Sequence, residues 1–265
     1  MKLACQEGKA PGATFAEKLK NLEKYGFEGV ELNGAMLLAP GGLDERVLAL
    51  KDSPVKASSI CGGHGCQMVH PDRALRQDCM DKIKKLLDAA AATGAAGPIS
   101  VPIFNRDPRV PDLSPYMNSH QLEMELLVAV LGELAEHGAQ VGAAVILEPL
   151  NRYESNSLKD IEAGAEICRR VNSPGCKVMA DFFHMHIEQR DMAKSLTSVK
   201  DVLVHCHLAD STRLEPGTGL TDFAAPFKAL KRAKFKGYMA FECGLSDAPE
   251  KALPKSVRYL KKCMA

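Results

Sequence analysis

Glu148, Asp181, His207 and Glu242 are the residues of this chain whose types and spacing best suit chemistry. Each stands at or near the end of an apolar run. Val145-Ile146-Leu147 leads directly into Glu148 and Pro149, and a carboxylate in that position is costly to bury unless it meets a cation or a polar partner. The four recur at intervals of roughly 30 residues, about one βα unit, which predicts that they share one rim of a parallel sheet. Three carboxylates converging in a low-dielectric cavity repel one another and take up protons unless a cation lies among them. With one imidazole they form a three-oxygen, one-nitrogen donor set, harder than the thiolate sets of structural zinc. That set predicts one divalent ion in octahedral geometry with open positions, Mn²⁺ favoured and Mg²⁺ or Co²⁺ possible. Taken singly, any of the acids reads more readily as a helix cap or loop anchor, and the histidine as a satisfied polar residue.

Positioning such a set requires a repeating scaffold. Strands are predicted at Leu3–Cys5, Gly29–Leu32, Val55–Cys61, Ile99–Phe104, Ala144–Glu148, Lys177–Asp181, Leu203–Leu208 and Tyr238–Glu242. Helices are predicted between them at Thr14–Tyr25, Leu43–Leu50, Pro71–Thr93, Ser119–His137, Ser157–Val171, Asp191–Val199, Asp222–Ala233 and Pro249–Lys262. Within the third of these, Leu75, Cys79, Ile83, Leu86, Leu87 and Ala90 recur near a period of 3.6, and Gly94 supplies a stop. Asn118 or Ser119 caps the fourth and Gly138 ends it. Strict alternation over 265 residues predicts an α/β fold, a (β/α)8 TIM barrel, as a single domain spanning 1–265. An open doubly wound sheet is weakened by the lack of a Gly-x-Gly-x-x-Gly turn after the first strand.

The charge balance of 34 basic and 33 acidic residues, net +1, offers no electrostatic footprint for nucleic acid or an anionic membrane. A small-molecule partner is expected instead. No apolar stretch reaches the length of a membrane span, and Met1 to Gln6 lacks the long apolar centre of a signal peptide. Nine cysteines, an odd number, are read as free thiols in a reducing cytoplasm, with Cys5, Cys61, Cys206 and Cys243 acting as small hydrophobes.

Four blocks carry a family resemblance. They are Leu147-Glu148-Pro149-Leu150-Asn151-Arg152-Tyr153-Glu154, Asp181 to Glu188, His207 to Arg213 with Pro216-Gly217-Thr218-Gly219, and Gly237 to Glu242. Together they resemble the signature blocks of the xylose-isomerase-like sugar isomerase/epimerase family, and within it are most similar to the D-tagatose and D-psicose (allulose) 3-epimerases. The resemblance covers Val145 to Gly244. It implies a divalent-metal-dependent ketose 3-epimerase of the EC 5.1.3 class, with Glu148, Asp181, His207 and Glu242 as metal ligands and Glu148 with Glu242 as the acid/base pair. Glu154, His184 and Arg213 match the family's substrate-binding positions, and a homo-oligomer, dimer or tetramer, is the implied assembly. The chemistry agrees with the residues: a divalent ion acidifies the hydrogen next to a ketone, and two carboxylates on opposite faces of that carbon can remove and return a proton through an enediolate.

Around this set, His186 and His205 are read as neighbours of ligands, His205 one layer below His207 on the same strand face. Gly217 and Gly219 are read as tight-turn residues near the pocket. His184 has an alternative as a buried partner for Glu154 or Asp181.

The sequence departs from the family pattern in lacking tryptophan, so Phe104, Tyr116, Phe182 or Phe183 are expected to wall the pocket. Cys61-Gly62-Gly63-His64-Gly65-Cys66 offers three soft ligands without a fourth, and is read as a rim loop with His64 near the sugar. The Arg106 to Tyr116 segment, with Pro108, Pro111 and Pro115, is read as a stiff wall. Related alternatives on the same site are a hydroxypyruvate isomerase, an inosose dehydratase or a 3-keto-sugar lyase, with Arg213 able to meet a carboxylate. An abasic-site endonuclease shares the Asp-x-x-His block of Asp181 to His184. It would need further histidines, and there is none between His70 and His120 or after His207. A non-catalytic sugar-binding protein would have no use for both Glu148 and Glu242.

Overall fold

In the computed structural model, which describes residues 1–65, 67–104 and 107–265, eight parallel strands close into a barrel in simple sequence order. They are β1 (Lys2–Gln6), β2 (Gly29–Asn33), β3 (Lys56–Cys61), β4 (Pro98–Ser100), β5 (Val145–Leu147), β6 (Cys176–Asp181), β7 (Leu203–Leu208) and β8 (Tyr238–Phe241). β1 pairs with β8 through Leu3 opposite Met239 and Cys5 opposite Phe241, which leaves no open edge.

Outside the barrel lie α1 (Phe15–Tyr25), α2 (Gly34–Leu38), α3 (Gly42–Lys51), α4 (Arg73–Thr93), α5 (Ser119–Val141), α6 (Ile161–Val171), α7 (Phe182–Glu188), α8 (Met192–Ser198), α9 (Ala224–Arg232) and α10 (Pro249–Met264). Their starts follow local chemistry. Thr14 and Glu17 form a capping box on α1, Asn118 and Gln121 another on α5, and Asp160 caps α6. None of the described helices is long and apolar enough to cross a membrane.

The eight predicted strands and eight predicted helices all occur, with several differences. α2 and α7 were not foreseen: each is a short helix beginning directly at a strand end, where Asn33 and Asp181 supply caps to the next backbone amides. β4 is only Pro98–Ser100, because the chain leaves the barrel after Ser100 for the long connection to α5. α5 continues past Gly138 to Val141, and Gly142 at φ 79° ends it. Gly138 is needed for close packing instead, since a Cβ there would lie 2.8 Å from the Ala143 carbonyl oxygen. Leu75, counted on the buried face of α4, is 44% exposed, in the helix's first turn.

Most of the apolar core lies between the barrel and its helices. Ile99, Ile146 and Met179 form a separate small cluster. Ile146 and Met179 precede Glu148 and Asp181 by two residues and so share their strand face, placing this apolar layer inside the barrel beneath a polar one. The polar groups there are Glu31, Ser59, His205 and His207, all almost completely buried, with His205 in register with Met179 and His207 with Asp181.

Candidate metal centre

The proposed ligand set converges at the C-terminal ends of β5 to β8. Glu148 and Glu242 are the residues immediately after β5 and β8, Asp181 is the last of β6, and His207 is the penultimate residue of β7. Backbone hydrogen bonds tie the two glutamates to neighbouring strands: Glu148 N donates to the Ser100 carbonyl at 3.1 Å and Glu242 N to that of Leu208 at 3.3 Å. One ligand atom from each of the four side chains lies within 4.8 Å of all the others.

The individual contacts suit a cation. Asp181 uses Oδ1 to cap α7, accepting from Phe183 N at 2.7 Å and His184 N at 3.3 Å. Its Oδ2 is buried with no hydrogen-bond partner, as is Nδ1 of His207. That Nδ1 lies 3.1 Å from Glu242 Oε2, 3.6 Å from Glu148 Oε1 and 3.9 Å from Asp181 Oδ2. Buried polar atoms are rarely left unpaired, and two orphans facing the same gap among three carboxylates fit a divalent ion. The donor set of three oxygens and one imidazole nitrogen fits a hard or borderline metal.

Electrostatics separate the two glutamates. Burial pushes the Glu148 carboxyl up, and the charges of Glu242 and Asp181 push it further, against a contact with His207. Burial acts the same way on Glu242, but His207 and Arg213 outweigh it and bring it down to about 2. Arg213 donates from Nη2 to Glu242 Oε2 at 2.9 Å, and Gln6 donates from Nε2 to Oε1 at 3.1 Å. Burial opposes protonation of His207, but Glu242 and Glu31 hold it well above the usual imidazole range.

The three residues expected to meet substrate surround this cluster. His184 is 2% exposed. Asn151 approaches its Nδ1 through Nδ2 at 2.7 Å and through the backbone amide at 3.3 Å. The Asn151 amide is oriented by Oδ1 accepting from Tyr153 N and Nδ2 donating to Glu154 Oε1 at 2.8 Å. Nδ1 is therefore the side that Asn151 holds, and Nε2 lies 3.3 Å from Arg213 Nη1, 3.6 Å from Asp181 Oδ2 and 3.9 Å from Glu148 Oε1. His184 thus presents Nε2 toward the cluster. Arg213 holds φ 57° and lays its guanidinium over the Phe183 ring, 4.5 Å from its centre, within reach of Glu242 and Asp181. The loop carrying Arg213 is gathered by Asp210, whose carboxylate accepts from the amides of Ser211, Gly217, Thr218 and Thr221. Gly217 takes φ 95°, and a Cβ at Gly219 would meet Asp210 Oδ1 at 2.4 Å.

Several expectations change. Phe182 does not wall the pocket: it is fully buried and packs against Phe223 and Phe227 outside the barrel, whereas Phe183 lies under Arg213. Phe104 and Tyr116 are 56% and 81% exposed. His64 is not poised for a ligand, since its Nε2 meets the Ile99 carbonyl at 2.9 Å and Ser100 Oγ at 3.3 Å, which makes it a strut between β4 and the loop after β3. Cys61 is half-buried rather than core, with Sγ 3.7 Å from Glu242 Oε1. His186 is exposed; His205 is outside the four-residue cluster but converges with Glu31 and His207 in a second group of ligand-type atoms. Cys66 and Arg106 lie outside the described residues, so the loops they belong to are described only in part.

Sequence reasoning passed over Glu31 and Gln6. An acid inside Gly29-Val30-Glu31-Leu32 is the signal that could have marked the first, because a charge within a barrel strand requires a buried partner. A cavity of about 190 Å³ opens between Gln6, Lys9, Asn33 and Cys61 beside Glu242. A larger surface hollow, about 820 Å³ between α8 and α9, holds no converging acid and imidazole set; chemistry rather than size identifies the site.

Comparison with known proteins gives the same direction. A family model described as xylose isomerase-like TIM barrel matches residues 19–263. The chain is 28% identical over 268 residues to 3-dehydro-D-guloside 4-epimerase of Escherichia coli (strain K12), covering 99% of this chain and 100% of the relative. It is 32% identical over 247 residues to D-psicose 3-epimerase of Enterocloster bolteae, covering 86% and 77%. Among solved structures, an E. coli 3-keto-D-glucoside 4-epimerase in apo form superposes with a TM-score of 0.89 at 26% identity, covering 99% of this chain and 100% of that one.

Proposed function

The chain belongs to the xylose isomerase-like TIM barrel family, and on that premise we propose that it is a divalent-metal-dependent sugar epimerase that inverts the carbon next to a ketone. The observation that carries this reading is the four-residue cluster with two buried, unpaired atoms, Asp181 Oδ2 and His207 Nδ1, facing one another across it. Glu148, Asp181, His207 and Glu242 would hold the ion, Mn²⁺ in preference to Mg²⁺ or Co²⁺. When bound, it supplies Lewis-acid polarisation of the substrate ketone and so acidifies the adjacent C–H.

The chain's own residues do the rest. Glu148 and Glu242 come from β5 and β8 and reach the cluster from different sides, one to take the proton and the other to return one on the opposite face. His184, oriented through Nδ1 by Asn151, meets a substrate oxygen through Nε2. Arg213 stabilises charge developing on that oxygen. Glu154, held by Asn151, and the polar cavity around Gln6 and Lys9 accept the hydroxyls further along the sugar.

Ketose 3-epimerisation and 4-epimerisation of a 3-keto sugar are one reaction in this respect, since each inverts the hydroxyl-bearing carbon beside the ketone. A ketose is the first reading for the substrate. A 3-keto-glycoside is the second, favoured by the match to the E. coli 4-epimerase along the whole length of both chains. A cytoplasmic enzyme is part of the same proposal.

The deciding experiment incubates the metal-loaded protein in D2O with D-fructose, D-tagatose, hydroxypyruvate and a 3-keto-glycoside. One deuterium at the carbon beside the ketone, together with the epimer, is expected for the ketoses or the glycoside. No exchange into any of the four would falsify the reading.

A further inference from the structure

The geometry points to Glu31, on β2, as the positioning residue of the metal centre, acting on two of the four proposed ligands at once. This inference rests on the metal-dependent reading above and adds to it a part of the barrel that supplies none of the four proposed ligands. The Glu31 side chain is wholly buried. Nε2 of His207 lies 2.9 Å from Oε2 and 3.1 Å from Oε1, so the imidazole N–H is aimed between both oxygens. With the proton on Nε2, the lone pair of Nδ1 faces the ligand cluster, which is the tautomer a metal requires. Gln6 then extends the contact: its Nε2 lies 3.0 Å from Glu31 Oε1 and 3.1 Å from Glu242 Oε1, so one amide group ties the carboxylate to the second ligand.

The remaining acceptor capacity of Glu31 is also taken. Ser59 Oγ donates to Oε2 at 2.7 Å, and His205 Nε2 lies 3.1 Å from the same oxygen. Donors from β1, β3 and β7 therefore converge on one group, and only an ionised carboxylate accepts from all of them. Glutamine would turn an N–H₂ toward two of these donors. The barrel is also locally bent for this contact. Its strand register shifts between Val30 and Leu32 on β2, opposite the Ala57–Ile60 stretch of β3, and between β6 and β7 just before His205. Such irregularities re-aim side chains beside active sites, and these two flank Ser59 and His205.

A purely structural carboxylate would lower thermal stability when altered and leave metal binding untouched, so the test reads binding directly. Mn²⁺ is titrated into metal-free wild type and Glu31→Gln by calorimetry, and the visible spectrum of the Co²⁺ form is recorded for both. Glu31→Gln is expected to weaken Mn²⁺ affinity about 10–100-fold and to alter the Co²⁺ bands; Glu31→Asp, which keeps the charge, recovers part of the affinity. Wild-type affinity and an unchanged spectrum in a folded Glu31→Gln protein overturn the inference, even with a lowered Tm. If Glu31→Gln does not fold, Gln6→Met, at a half-buried position, decides. A several-fold loss of Mn²⁺ affinity in that variant supports the inference, and wild-type affinity overturns it. Wild type that takes up no metal sinks the functional reading and this inference together, whereas wild type that binds metal and exchanges deuterium alongside an unaffected Glu31→Gln sinks this inference alone.

Discussion

Asp181 reconciles two readings of a strand-end acid. One oxygen caps α7, as a bland reading would have it, and the other faces the ligand cluster unpaired. Glu148 and Glu242 are alike in type but not in surroundings, since Glu242 is clasped by Arg213 and Gln6 while burial dominates at Glu148. General acid–base groups contribute about 10²–10⁴-fold to rate. Glu148→Gln and Glu242→Gln are each expected to lose kcat within that range. Because both are also proposed ligands, bound metal is measured by elemental analysis in the same samples. A variant that keeps its metal and loses deuterium exchange isolates the proton-transfer role, and full activity in either one removes it from the acid/base pair.

The loop between β7 and α9 has its shape set by Asp210, and through that loop Arg213 reaches the cluster from a left-handed backbone conformation. Burial raises the Asp210 carboxyl, but amide donors from Thr221, Gly219, Ser211 and Gly217 outweigh this and leave it below the ordinary range. A depressed folded-state value means the stabilisation is fully present above the unfolded carboxylate pKa, about 3.9, and fades as pH falls through the folded value. Asp210→Asn is expected to cost about 1.5–3 kcal/mol at neutral pH, the range for hydrogen bonds to a charged group. The difference from wild type should shrink as pH drops below about 3.9. Chemical denaturation of both proteins across pH 2.5–7 measures it. A difference that does not vary with pH would show that the charge is not what gathers the loop. The same variant is expected to raise KM, because Arg213 then loses its fixed approach over Phe183.

At the scale of the molecule, four strands carry the proposed ligands and the other four carry groups that hold them. Closure of β8 on β1 brings Gln6 to Glu242 and Glu31 to His207 across the barrel. An ion shared by the proposed ligands from β5 to β8 would bind the folded state alone, and at a hundredfold excess over its Kd such a ligand stabilises by about 2.7 kcal/mol. Addition of Mn²⁺ to the metal-free protein is expected to raise Tm by about 5–10 °C, at roughly 2–4 °C per kcal/mol for chains of somewhat smaller size. Calorimetry with and without a chelator checks this, and Asp181→Ala, lacking a ligand, is expected to show no rise. The alternation of elements and the convergence of Glu148, Asp181, His207 and Glu242 were legible in the sequence because each of the four stands at or near the end of an apolar run, one βα unit from the next. The Asn118 cap was legible because it acts within three residues. The short helices α2 and α7 were not, since their caps are strand-end residues that also read as parts of the strand. Whether Phe182 or Phe183 faced the pocket depended on which side of a seven-residue helix met the barrel. The role of Glu31 was decided by tertiary structure alone: its partners lie 25, 28, 174 and 176 residues away in the chain, and only barrel closure with two register shifts puts them on one carboxylate. Local sequence sets which residues end a strand, because that is a property of neighbours; which atoms those ends can share is a property of the closed sheet.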